Sequence, residues 1–399
     1  MFLIQFLLPA GQRWFHRETN SPAPSSYTTA SRNGLARPWG DIAYMPLALS
    51  RPDAYFTNVP PPPEKTEWTL RNTSRAALST LIGSLGLEDR ERNFLSDSSH
   101  WQELSGALRI TVPPDVVLNI PPISRQRLYA LLAQSAENAA QQRPFRFAGF
   151  AEWFGDSGLP EEKLELVGKL TYTNDEALCF ADLAAFAQLS SPAETALLIK
   201  SLSRVPTFMV RLHIDPEAKV DELLNYWAKA GNLRDARLLF QSLSRADSDI
   251  NLSYFLPPFA RLRLYTYPQR EDPRAAERND IWTAMNFFNK EPEDRFLSAD
   301  SAAQILMTDY TRVASKDKQF GDTIVFVAQN RILHMGTFLA EDFVFTKRAS
   351  GPFEPWVIIK VKELITASLQ HRPFEIRVYR RNKLPPLAAG SWSERDFVD

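Results

Sequence analysis

From Thr73 to about Leu243 the apolar residues recur mainly at helical spacing. The stretches are Ser74–Leu85, Ser124–Asn138, Glu161–Leu170, Asp175–Leu189, Pro192–Leu202, Val220–Ala230 and Leu233–Leu243, with Ser124, Ser191 and Asp221 near helix starts. Strand-like runs interrupt them at Leu108–Val112, Val116–Ile120 and Thr207–Ile214. In the last, Phe208, Val210, Leu212 and Ile214 alternate with polar or outward positions, so His213 points off the apolar face. Beyond Phe320 the period becomes that of a sheet. Gly321-Asp322 is a turn signal, and Thr323–Val327, Arg331–Leu339 and Phe343–Thr346 are β-rich runs separated by Ala328–Asn330 and the acidic turn Glu341-Asp342. Trp356–Lys360 reads as a further strand, Lys362–Leu369 as a short helix and Phe374–Tyr379 as a final strand.

These elements predict an α+β fold. A mainly helical domain over 73–250 is followed by an α+β module over 251–380, in which one helix packs on an antiparallel sheet. Residues 1–72 form an N-terminal segment with a Pro-rich linker, and 381–399 a tail. The run Pro60-Pro61-Pro62-Pro63 imposes extended polyproline geometry on the linker. Met1–Pro9 is an apolar run of signal-peptide core length without a positively charged start. It reads as a leader, which would favour export, or as a strand or anchor packed on the body.

Composition narrows the function classes. With 399 residues, 44% apolar and 23% charged, the chain is long enough for two or three domains of ordinary globular type. Its net charge of −1 offers no general attraction for phosphates, so nucleic acid is not an expected partner. There is no run of about 20 apolar residues to span a membrane. Phosphate-binding glycine loops, zinc spacings and nucleophile elbows are missing from the sequence, and no cofactor is expected. Leu224–Leu243 looks similar to one helical-hairpin repeat, but a solenoid needs about three stacked copies, so it is read as a hairpin turning at Gly231-Asn232.

The candidate chemistry gathers around His334. A Gly-Asp pair opens one strand, His334-Met335-Gly336 sits in the next, and the polar Thr346 lies in the third. Together these resemble the NlpC-type branch of the papain-like peptidases, over roughly residues 278–380. The resemblance implies that His334 is the general base for a cysteine nucleophile at a helix start, that Thr346 lies beside it, and that the ligand is a peptide or cell-wall amide in a cell-envelope setting. The matching helix, Arg278-Asn279-Asp280-Ile281-Trp282-Thr283-Ala284-Met285, has no cysteine. Its nucleophile position falls on Asp280 or Ile281, and neither can form a thioester.

Read from the residues alone, Asp280 is a helix cap ahead of the stripe Ile281, Met285 and Phe288. Trp282, Met285 and Phe288 are expected to be largely buried, with Asp280 partly accessible at a cleft facing His334. The single cysteine, Cys179, is expected in a buried helix over Glu176–Gln188. The function these readings imply is a catalytically degenerate NlpC-type papain-like protein acting in binding or as a structural module. One alternative is an active amide hydrolase or transferase using His334 with Asp280 or Cys179. Another is a helical protein-interaction scaffold.

Overall fold

The computed structural model describes residues 28–29, 37–57, 61–147, 149–174, 177–230, 233–269, 271–348, 354–368 and 373–384. The apolar N-terminal run, Pro60, the Gly231-Asn232 turn and most of the tail lie outside the described residues.

After the short β1 (Thr28–Thr29), β2 (Asp41–Leu49) runs along the centre of a four-stranded sheet. Next, β3 (Thr66–Arg71), β4 (Trp101–Leu104) and β5 (Ala107–Val112) make a three-stranded sheet in the order β3-β5-β4. A second such sheet, β6-β8-β7, consists of β6 (Phe145–Phe147), β7 (Tyr172–Asn174) and β8 (Ala177–Phe180). The chain then returns through β9 (Val205–Ile214) and β10 (Ser248–Asn251), completing the first sheet in the order β1-β2-β9-β10. The last sheet has six strands: β11 (Tyr310–Val313), β12 (Thr323–Ala328), β13 (Arg331–Ala340), β14 (Phe343–Lys347), β15 (Trp356–Lys360) and β16 (Glu375–Arg381), in the order β11-β16-β12-β13-β14-β15. Every strand pair in these sheets is antiparallel, and with the helices between them the class is α+β.

Three buried cores hold these elements. One draws on residues from Trp68 to Leu202. The second joins Ile42 to residues from Phe208 to Ile358, and Ile250, where the sequence reading placed a boundary, is itself a member. The third lies on the opposite face of the six-stranded sheet, where Ile324, Phe326, Phe338, Val344, Val357 and Ile359 meet Leu364 of the Val361–Ser368 helix. Alternation divides the strands as far as Phe338: Val325, Val327 and Met335 belong to the second core and Ile324, Phe326 and Phe338 to the third, and past the register shift Leu339 and Ala340 both face the second.

Several expected elements hold their limits. Glu161–Leu170 and Pro192–Leu202 are helices, the latter with Ser191 and Glu194 in a reciprocal capping box. Others differ for identifiable reasons. Val116–Ile120 is not a strand: Pro113 caps and Pro114 opens a helix, Pro114–Asn119, which overrides the β preference of the two valines. The expected Asp175–Leu189 helix splits into β8 and a helix over Leu183–Gln188, with the buried Asp182 between them. The supposed N-terminal segment contributes β2, which pairs with β9 from Asp41↔His213 to Leu49↔Val205.

The turn ahead of β12 is tightly built. Gly321 has φ +86°, and a Cβ there would stand 2.2 Å from the Phe288 ring, so only glycine fits. Asp322 follows, buried, and accepts from the Gln319 N–H at 2.7 Å and from Arg380 Nε at 2.9 Å. This anchors β12 to β16 at the end of the sheet near the Asp280–Met285 helix.

Candidate functional site

The Asp280–Met285 helix lies against β13 and β14. Its cap is Asn279, whose side chain accepts from the Trp282 N–H at 3.0 Å, so the expected capping role of Asp280 is corrected. Both types cap well, and the tertiary contact decides which one does. Trp282 and Met285 are buried as expected, and Phe287 is buried in addition, while Phe288 is only half-buried over the Gly321 turn. Two side-chain bonds tie the helix down: Trp356 Nε1 donates to Thr283 Oγ1 at 2.9 Å and Trp282 Nε1 to Asp294 Oδ1 at 3.3 Å.

Asp280 is not partly accessible: only 6% of it is exposed. Its Oδ2 accepts from the Met335 backbone N–H at 2.7 Å and lies 3.3 Å from His334 Nδ1. On the other side of the ring, His334 Nε2 is 3.0 Å from Thr346 Oγ1, which also lies 2.8 Å from the Met335 carbonyl and 3.1 Å from the Lys347 carbonyl. The structure therefore brings all three expected residues, Asp280, His334 and Thr346, into one contiguous chain of contacts. They touch directly and are buried, rather than facing each other across an open cleft.

The strand register explains this arrangement. Pairing of β13 with β14 runs from Ala340↔Phe343 to Thr337↔Phe345, and that of β13 with β12 is shifted between Phe326 and Val327. At Met335 the amide meets the Asp280 carboxylate and the carbonyl meets the Thr346 hydroxyl. Side chains thus supply the donor and acceptor that a neighbouring strand supplies elsewhere, which a buried backbone requires. His334 is packed against the Phe326 ring, with centroids 6.1 Å apart.

Electrostatics favour a neutral ring. Burial holds the His334 pKa below its ordinary value, against the opposing pull of Asp280. A base whose folded pKa is depressed contributes stability that is present above its unfolded pKa and is lost as the pH falls through the folded value. Acidification from neutral pH should therefore remove the stability that His334 contributes, and a His334→Gln variant should lose less stability than the unaltered protein over that range in urea titrations. An unchanged slope would mean that His334 does not carry this dependence.

Sequence reasoning missed Lys347. A lysine at a strand end reads as solvated, yet this one is fully buried. Its Nζ donates to the carbonyls of Arg278 at 2.6 Å and Ala275 at 3.2 Å, ahead of the helix. Burial pushes its pKa down to about 8, opposed by Glu354 and Asp280. β14 therefore holds the site from both sides, through Thr346 to His334 and through Lys347 to the loop that delivers Asp280.

Cys179 is elsewhere. It lies on β8, not on a helix, paired with Arg146 and Tyr172, and it is buried in the first core, whereas Met335 and Trp282 are in the second. Among the described residues no group of three or more His, Cys, Asp or Glu side chains could hold a metal ion, and no helix is long and apolar enough to cross a membrane. Set against known proteins, the chain matches no family model, no curated protein and no solved structure.

Proposed function

We propose that the C-terminal module is a papain-like fold of the NlpC kind that has lost its nucleophile and serves as a binding or structural module. The observation that carries this reading is the position of Asp280. Its carboxylate lies at the start of the helix, 3.3 Å from His334, where the resemblance calls for a thiol, and it is engaged with the Met335 amide. An acceptor committed to the backbone of a buried strand is poorly placed to attack an amide. The burial of Cys179 in a different core argues against that thiol acting as a remote nucleophile. A peptide or cell-wall ligand remains the ligand class that the resemblance implies.

The test is to restore the thiol. Asp280→Cys should react with an alkylating reagent in the folded state faster than Cys179 does, because a thiol beside an imidazole gains thiolate character. The unaltered protein should show no thiol-dependent hydrolysis of cell-wall peptides. Hydrolysis that disappears in Cys179→Ala would overturn the reading, as would an Asp280→Cys thiol no more reactive than Cys179 in a folded protein.

A further inference from the structure

Arg263 follows the short Pro258–Arg261 helix and is packed among aromatic rings. Its Cζ lies 4.1 Å from the Phe259 ring centroid, 5.3 Å from that of Trp282 and 5.7 Å from that of Trp356. The segment that presents it is firmly held. Thr266 Oγ1 donates to the Arg263 carbonyl at 2.7 Å, and the Tyr265 N–H donates to the Trp356 carbonyl at 2.8 Å. Tyr265 has φ +62°, a left-handed conformation that an aromatic residue adopts only where its surroundings impose it.

What this guanidinium lacks is a counter-ion. Its Nη1 donates to the Phe259 carbonyl at 3.1 Å, but among the described residues Nε and Nη2 have no acceptor and no carboxylate lies within ion-pair distance. Neither atom is sealed from solvent. The carboxylates of the neighbouring loops are committed elsewhere: Asp272 to Arg278, and Asp294 to Arg274 and the Trp282 indole N–H. Arg278 in turn stands 5.0 Å from the Trp282 ring centroid, so a second guanidinium shares that indole. Burial, and then this like charge, pull the Arg263 pKa down to about 10. A cation withdrawn from water is ordinarily paired. The free edge of Arg263 offers two N–H groups in one plane, the pattern that matches the two oxygens of a carboxylate. The unmatched charge is one, which a monoanion neutralises. We infer that Arg263 is the receptor for a small organic monocarboxylate, held side-on by Nε and Nη2 next to the Phe259, Trp282 and Trp356 rings. The site does not rest on the reading of the His334 centre.

The test uses propionate and N-acetylglycine, with N-acetylglycinamide as the uncharged twin, titrated into the full chain at an ionic strength held constant with sodium chloride. Binding is read from tryptophan fluorescence, since Trp282 and Trp356 flank the guanidinium, and independently from saturation-transfer NMR of the ligand methyl protons. Saturable binding of both carboxylates is expected, with Kd on the order of 1 mM, the yield of two charge-assisted hydrogen bonds at an accessible site. The amide should not bind, and inorganic phosphate should bind more weakly than propionate. Arg263→Lys keeps a charge over the rings but loses the fork, and should weaken both carboxylates about tenfold. Arg263→Gln should abolish their binding. Absence of saturable carboxylate binding to the unaltered protein in both readings would overturn the inference without recourse to any variant. So would the amide binding as well as N-acetylglycine, phosphate binding more tightly than propionate, or undiminished carboxylate affinity in a folded Arg263→Gln.

Discussion

Arg125→Met should destabilise the protein by about 3–5 kcal/mol, the cost of removing one partner from a buried ion pair, and should do so less at mildly acid than at alkaline pH. Arg125 is fully buried in the first core. Its Nη1 and Nη2 donate to the carbonyls of Lys169 at 2.5 Å and Val117 at 2.6 Å, and its Nε is 3.6 Å from Asp182 Oδ2. Tyr129 donates to the other carboxylate oxygen at 2.5 Å. Without the guanidinium, two carbonyls lose their donors and Asp182 becomes a buried charge with a phenol as its only close partner.

The pH dependence follows from the same geometry. Burial pushes the Asp182 pKa up to about 6, restrained first by Arg125 and then by the Tyr129 hydrogen bond. A carboxyl whose folded pKa lies above its unfolded value binds the proton better when folded, so the associated stability is present at acid pH and lost as the pH rises through about 6. In Arg125→Met that folded pKa moves further up and the loss grows on the alkaline side. Urea titrations on either side of this value decide the matter, and an Arg125→Met penalty independent of pH would show that Asp182 is not the residue affected. Adding Asp182→Asn should recover part of the loss, since no charge is then left unpaired.

The second large effect concerns the centre around His334. Asp280→Ala should cost about 2–4 kcal/mol, because it leaves the Met335 N–H and the His334 Nδ1 without a partner in a dry environment, at about 1–3 kcal/mol for each buried group orphaned. Asp280→Asn keeps an oxygen that can accept from Met335 and should cost less than half as much. Unfolding followed by tryptophan fluorescence reports on this directly, since Trp282 and Trp356 pack around the same helix. Equal penalties for the two variants would mean that the negative charge itself matters, and that Asp280 is primarily a partner for a charged imidazole.

The C-terminal sheet was legible because its punctuation is local. Gly321 and the pair Gln329-Asn330, with φ of +86°, +48° and +59°, take up the left-handed conformations that tight turns demand, and Glu341 does so at +53°. Between them, β-branched and aromatic residues leave little choice but strands. The three residues of the candidate site were legible only through resemblance, and their burial was not. Nothing in the spacing of Asn279 and Asp280 says which one turns outward to cap and which one reaches Met335.

The errors share a cause. Around Cys179 the alanine-rich pattern favours a helix, but Asp182 is drawn into the core by Arg125 and Tyr129, and the chain before it is extended in β8. The role of Asp41–Leu49 was hidden because its partner, β9, lies far along the chain. Lys347 was hidden for the same reason: the carbonyls that hold it belong to Ala275 and Arg278.

The pairing of β2 with β9 also places Leu49 opposite Val205. Topologically the two strands are a hairpin, and the whole first core, from Trp68 to Leu202, is carried in its loop. The chain leaves and re-enters the C-terminal body at neighbouring points, the arrangement in which one domain can be inserted into another with little disturbance. That makes the first core a cassette: a cut within it would leave both sides of the seam paired, and its replacement by a short turn would give the C-terminal body an ordinary hairpin in its place.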